Sequence, residues 1–201
     1  MIRIIDYKAG NAPSVQSAVR YLGYEADFAR LPHDLKNATH ILLPGVGSAK
    51  ATMDSLNEMG LIGALKEAVL DKKVLFLGIC VGMQILFEHS EEGNTDCLGW
   101  LRGRVVKFDA EKVRVPQMGW NEVRFTKNTS CSASDDFFYF VNSYYAIPKD
   151  ESDIWGITDY NGLFAAAVCR DHIYATQFHV EKSGEAGLTL LNNFLKQKGG
   201  A

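Results

Sequence analysis

With 201 residues, 47% of them hydrophobic, the chain is long enough for one domain with a full-sized core. Its formal net charge of -3, with lysines and arginines scattered, excludes the basic footprint of a nucleic-acid or anionic-membrane binder. No apolar stretch matches a signal peptide or a membrane span, and Cys80, Cys97, Cys131 and Cys169 lack metal-ligand or disulfide-framework spacing, so a cofactor-free, soluble protein of a reducing cytoplasm is expected.

The first half alternates strand and helix. Residues 2–7 read as a strand, and Asn11 is placed to cap a helix with Pro13 in its first turn, where a missing N–H costs little. Val15, Ala18, Val19 and Leu22 share one apolar helical face, and Gly23 suits the C-terminal stop. Residues 25–29 form a weaker strand, and 40–43 a short buried strand that exits at Pro44-Gly45-Val46-Gly47. Helix is expected over 49–70 with a break near Gly60, then a strand over 74–79 and a helix over 83–88. Such alternation implies a parallel sheet with ligands at the carboxyl ends of its strands. Beyond residue 100 the pattern becomes hairpin-like. Strands are expected at 103–108, 113–115, 121–125, 137–145 and 154–159, followed by a hairpin of 164–169 and 173–178 around Arg170-Asp171-His172. A last helix over 184–196 carries Ala186, Leu190, Leu191 and Phe194, and the tail 196–201 is expected to fray. The chain thus reads as a single α/β domain over 1–201, a mixed central sheet flanked by helices with a second half rich in antiparallel strands.

Gly78-Ile79-Cys80-Val81-Gly82 sits between the apolar strand and the following helix. A nucleophile between two glycines at a strand-to-helix turn is the thiol form of a nucleophile elbow. The glycines permit a tight turn and close backbone approach, and the helix N-terminus favours a thiolate. Taken alone, the pattern does not outweigh a buried, inert cysteine. A thiol nucleophile needs a base, and the base an orienting carboxylate. Of His33, His40, His89, His172 and His179, only His179 follows a strand and has an acid two residues on, Glu181. A Cys80–His179–Glu181 triad is therefore stereochemically reasonable, although a two-residue His/Glu pattern also arises by chance. Backbone N–H groups of Val46 and Gly47, with that of Val81, are placed to form an oxyanion hole; the alternative is an ordinary strand-exit turn.

Three segments, Leu43-Pro44-Gly45-Val46-Gly47, Gly78-Ile79-Cys80-Val81-Gly82-Met83-Gln84 and Thr176-Gln177-Phe178-His179-Val180-Glu181-Lys182-Ser183, resemble the active-site motifs of class I, triad-type glutamine amidotransferases. Asp6-Tyr7-Lys8-Ala9-Gly10-Asn11, Pro116-Gln117-Met118-Gly119-Trp120-Asn121 and Tyr139-Phe140-Val141-Asn142-Ser143-Tyr144 extend the resemblance to the glutaminase subunits of imidazole glycerol phosphate synthases. The resemblance implies that Cys80 forms a γ-glutamyl thioester with L-glutamine while His179, held by Glu181, delivers a proton to ammonia. It also implies that Gly47, Gln84, Glu92, Ser143 and Tyr144 bind the substrate. The implied partner is a (βα)₈ cyclase that receives ammonia through a tunnel, with Asn11, Trp120, Asn121, Tyr139 and Lys182 at the interface. The Gly45-Val46-Gly47 backbone is the implied switch, presenting its N–H only in the active state.

Three positions depart from the family pattern: Val180 replaces proline between the His and Glu, and Gln117 and Asn142 replace histidines. These changes leave the triad intact and admit an alternative partner, a synthase that amidates a surface-sugar precursor. A binding module without catalysis is disfavoured by the complete triad, and a cysteine peptidase by Gln84 and the subunit markers.

Overall fold

A computed structural model describes residues 1–8, 11–131 and 133–198. The Ala9-Gly10 step of the first marker and residues 199–201 of the expected frayed tail lie outside the described residues. The N-terminal half runs β1 (Ile2–Ile5), α1 (Ala12–Tyr21), β2 (Ala26–Ala29), β3 (His40–Gly45), α2 (Ala49–Glu58), α3 (Leu61–Lys66) and β4 (Leu75–Cys80). The helical break falls at Gly60, whose φ of 66° suits glycine. One turn of helix, α4 (Val81–Gln84), follows β4.

The second half adds β5 (His89–Ser90), β6 (Thr95–Asp96), β7 (Gly103–Lys107), β8 (Gln117–Phe125), β9 (Asp136–Asn142), β10 (Tyr144–Pro148), β11 (Ile154–Asp159), β12 (Leu163–Arg170), β13 (Ile173–Thr176) and α5 (Gly184–Leu195). The sheet order is β2-β1-β3-β4-β13-β12-β10-β7-β5-β6, with β11 joining β12 to the β8–β9 ribbon. Strands β2, β1, β3, β4 and β13 are mutually parallel, whereas β13–β12, β12–β10 and β10–β7 are antiparallel. The mixed sheet flanked by helices, expected from the sequence, is thus present.

Every residue of β3 and β4 is buried, as befits parallel strands covered on both faces. Pro44 lies beyond the last β1 partner of β3, Leu42, so its missing N–H breaks no β1 ladder bond. Both strands end level, Gly45 opposite Cys80, and β13 runs alongside with Thr176 opposite Ile79. The three motif-bearing segments therefore leave the carboxyl ends of three adjacent strands.

Several sequence expectations are corrected. The helix expected over 83–88 is only Val81–Gln84; residues 85–87 continue as hydrogen-bonded turns, and Glu88 then pairs its N–H with Gly103 O at 3.2 Å. Sheet pairing to β7 outcompetes helical propensity there. Residues 113–115 form no strand; Val113 closes a turn by donating to Asp109 O at 3.1 Å. The expected strand 137–145 divides at Ser143, because β9 pairs with β8 whereas β10 pairs with β7 and β12. The small β5–β6 hairpin carries no sequence signal of its own.

Candidate active site

Cys80 adopts φ 56° and ψ -108°, a backbone conformation that costs energy for a residue with a side chain. The glycines on either side are required by space. A Cβ on Gly82 would stand 1.9 Å from Leu43 O, and one on Gly78 would stand 2.5 Å from Gly82 O. Elbow and neighbouring strand are therefore in backbone contact. Burial of Cys80 fits the inert alternative as well. The expected dipole effect is reduced, since a four-residue helix sums few peptide dipoles; its first N–H groups, that of Val81 included, still lack intrahelical acceptors.

His179 lies three residues beyond β13 and is 3% exposed. The ring of Phe178 packs on Phe138 at 4.2 Å and Phe140 at 5.7 Å, which pins this segment to β9. A tight turn over Val180–Lys182 then brings Glu181 back, so that His179 Nδ1 lies 2.9 Å from Glu181 Oε1. The bend forms without the family's proline. Ser183 closes it, its hydroxyl donating to His179 O at 2.6 Å and accepting from Tyr139 N–H at 2.9 Å. Burial by itself would lower the His179 pKa, but hydrogen bonds and charge from Cys80 and Glu181 prevail and raise it to about 10. Burial opposes ionisation of Glu181, yet the hydrogen bond and charge of His179 hold its pKa below the usual carboxylate value.

Asn11 has a different place from the one expected. It precedes α1, but its side chain makes no capping bond; Nδ2 instead donates to Glu181 Oε1 at 2.8 Å. The carboxylate oxygen that holds His179 is thus fixed from a second side.

A cavity of about 320 Å³, within the range of small-ligand sites, opens on the thiol. Its lining includes Val46, Gly47, Cys80, Val81, Gln84, Glu92, Ser143, Tyr144 and His179, all expected site residues, together with Lys182. Gln84 is buried rather than solvated, its Nε2 donating to Tyr144 O at 3.1 Å and to Gln177 Oε1 at 3.0 Å. Glu92 Oε2 accepts from the Ala49 N–H at 2.7 Å, and burial raises its pKa. Sequence reasoning assigned no site role to Pro116, Val141 and Asn142, which also line the cavity. The split of the 137–145 segment at Ser143 brings Val141 and Asn142 there, and no local signal marks that split; Pro116 comes from the residue before β8.

Trp120 is 56% exposed and meets Tyr139 edge-on at 5.8 Å, so it is not a core tryptophan. On the same ribbon face, Met118 stands opposite Val141 and Phe137 opposite Glu122, and both Met118 and Phe137 are exposed. Asn121 turns its amide to Asp159 O at 2.7 Å. Lys182 is exposed at the cavity.

A thiol on a strained backbone, an imidazole–carboxylate pair and a cavity thus meet at the carboxyl ends of parallel strands. The family model for glutamine amidotransferase class-I matches residues 3–198, and the chain belongs to that family. It is 42% identical over 201 residues to imidazole glycerol phosphate synthase subunit HisH 2 of Methanococcus maripaludis, covering 98% of this chain and 100% of the relative. It is 46% identical to subunit HisH 1 of Campylobacter jejuni over the same shares, and 41% identical to subunit HisH of Leptospira borgpetersenii, covering 96% of this chain and 98% of the relative. Among solved structures, a glutamine amidotransferase superposes with a TM-score of 0.79 at 17% identity, covering 97% of each chain. Thermotoga maritima PurLQS superposes at 0.75 and 17% identity, covering 96% of each, and both likenesses speak to the fold.

Proposed function

We propose that this chain is the glutaminase subunit of an imidazole glycerol phosphate synthase, working as one domain in the cytoplasm on L-glutamine. The observation that carries the reading is the convergence of Cys80 with the 2.9 Å His179–Glu181 pair on one cavity. The Cys80 thiolate attacks the side-chain carbonyl carbon of glutamine, and Val46, Gly47 and Val81 N–H groups receive the developing oxyanion. His179 then protonates the departing nitrogen, so that ammonia leaves and a thioester remains. The same imidazole next takes a proton from water, which cleaves the thioester to glutamate. Glu181, held by Asn11, keeps Nδ1 as the donor side of the ring throughout. Gln84, Ser143 and Tyr144 grip the amino-acid end, and the Glu92 carboxylate offsets its ammonium charge.

Ammonia passes to a (βα)₈ cyclase in histidine biosynthesis. The exposed apolar ribbon face of Met118, Trp120 and Phe137, continuous with cavity residue Val141, supports docking of that partner over the site mouth. Full-length likeness to subunits named for imidazole glycerol phosphate synthase favours this partner over a sugar-amidating synthase.

The test is ammonia release from glutamine by the pure chain, alone and mixed with the cyclase and its ribotide ligand. A large rise that vanishes in Cys80→Ala is the expected result. A chain that is alkylated at Cys80 by a glutamine-like electrophile, yet unmoved by the cyclase, would place its partner elsewhere.

A further inference from the structure

One fully buried amide beside the thiol has no part in the steps above. Gln177 directly follows β13, two residues before His179, and is 0% exposed. Its backbone N–H is used by Ala166 O at 2.8 Å. Its side chain spans the gap between substrate pocket and nucleophile: Oε1 accepts from Gln84 Nε2 at 3.0 Å, and Nε2 donates to Cys80 Sγ at 3.6 Å. The orientation of this amide is determined by its neighbours. Gln84 also donates to the Tyr144 carbonyl, which can only accept, so Gln84 presents its NH₂ group and the Gln177 atom facing it is the oxygen. The Gln177 nitrogen is then left for the sulfur.

We propose that Gln177 is a further catalytic residue, whose amide N–H stabilises the Cys80 thiolate and whose oxygen ties that donor to Gln84. The proposal rests on Cys80 being the nucleophile. In the thiol state the sulfur proton is directed at Val141 O, 3.8 Å away. When that proton passes to His179, the Val141 carbonyl becomes an unfavourable neighbour of the anion, whereas the Gln177 bond becomes charge-assisted. It strengthens again when the thioester collapses and sulfur departs as thiolate. A neutral donor suits this place, because it holds the anion without competing with His179 for a proton. The titratable groups facing the sulfur are Tyr7 from the end of β1, His179 and Glu181 from the turn after β13, and Glu92 and Lys182 across the cavity. None of their charges changes in the variants below.

Alkylation of Cys80 by iodoacetamide, read by peptide mass spectrometry to separate it from Cys97, measures the thiolate directly between about pH 5 and about pH 10. Gln177→Met removes the donor at similar volume. Gln177→Leu removes it with a shorter, equally uncharged side chain. In both, the acid limb of the profile is expected to move up by about one unit, with roughly tenfold slower alkylation at neutral pH. Unfolding is checked by thermal melting, and Gln177→Leu, which adds no charge and no length, decides the matter if Gln177→Met does not fold. An unmoved acid limb in a folded variant overturns the proposal. Wild-type Cys80 that reacts no faster than Cys97 at neutral pH would instead sink the nucleophile assignment itself.

Discussion

Gly82→Ala probes the contact on which the elbow depends. Its new Cβ would lie 1.9 Å from Leu43 O, and because Cβ contacts below 3.0 Å are essentially never seen, α4 and β3 must separate by about 1.1 Å or more. Leu43 is fully buried, and the clashing atom is backbone, so no side-chain rotation relieves it. Overpacking of this kind costs about 1–3 kcal/mol, which for a chain of 201 residues lowers the melting temperature by about 2 to 12 °C. The same displacement moves Cys80 and the Val81 N–H relative to Gly47 and His179. A shift of about 1 Å in reacting groups costs on the order of a hundredfold in turnover. Calorimetry and partner-stimulated glutamate release measure the two effects separately. Gly63→Ala in α3, with no atom within 4 Å of the new methyl, serves as control and should stabilise by about 0.5–1 kcal/mol. A Gly82→Ala protein with wild-type melting and turnover would refute the close approach of elbow and strand.

Asn11→Ala removes a donor from a buried carboxylate and should lower turnover roughly tenfold, about 1–2 kcal/mol, with glutamine KM little changed; steady-state kinetics with the cyclase present decide it. The raised pKa of His179 contributes stability that is complete below the unfolded value of 6.5 and is lost as pH rises toward about 10. Glu181, with its lowered pKa, contributes above the unfolded value of 4.5, and that contribution disappears as pH falls through the folded value. Melting temperatures of wild type should therefore decline toward alkaline pH more steeply than those of His179→Leu, and parallel curves would contradict the assignment. Trp120→Ala should leave the melting temperature of the free chain within a few degrees and weaken cyclase binding by about 2 kcal/mol, or roughly thirtyfold, in a titration.

The alternating half of the fold was legible because its signals are local: Pro13 and Gly23 bracket α1, Gly60 divides α2 from α3, and unbroken apolar runs mark β3 and β4. The tight turn at Cys80 was legible for the same reason, since backbone crowding around it admits only glycine at 78 and 82. His179 and Glu181 lie two residues apart, so one tight turn joins them whatever surrounds it. Residues that act across the fold carried no such mark. Asn11 looked like a helix cap until a carboxylate 170 positions away claimed its amide. The fully buried Gln177 stood in a motif without a role until β4 and β13 set it beside the sulfur. Likewise the 83–88 segment has the composition of a helix, and only pairing of Glu88 with β7 cuts it short. Propensity and spacing determine what each segment can be; the strand order determines which side chains meet, because hydrogen-bond partners and burial come from elements distant in the chain.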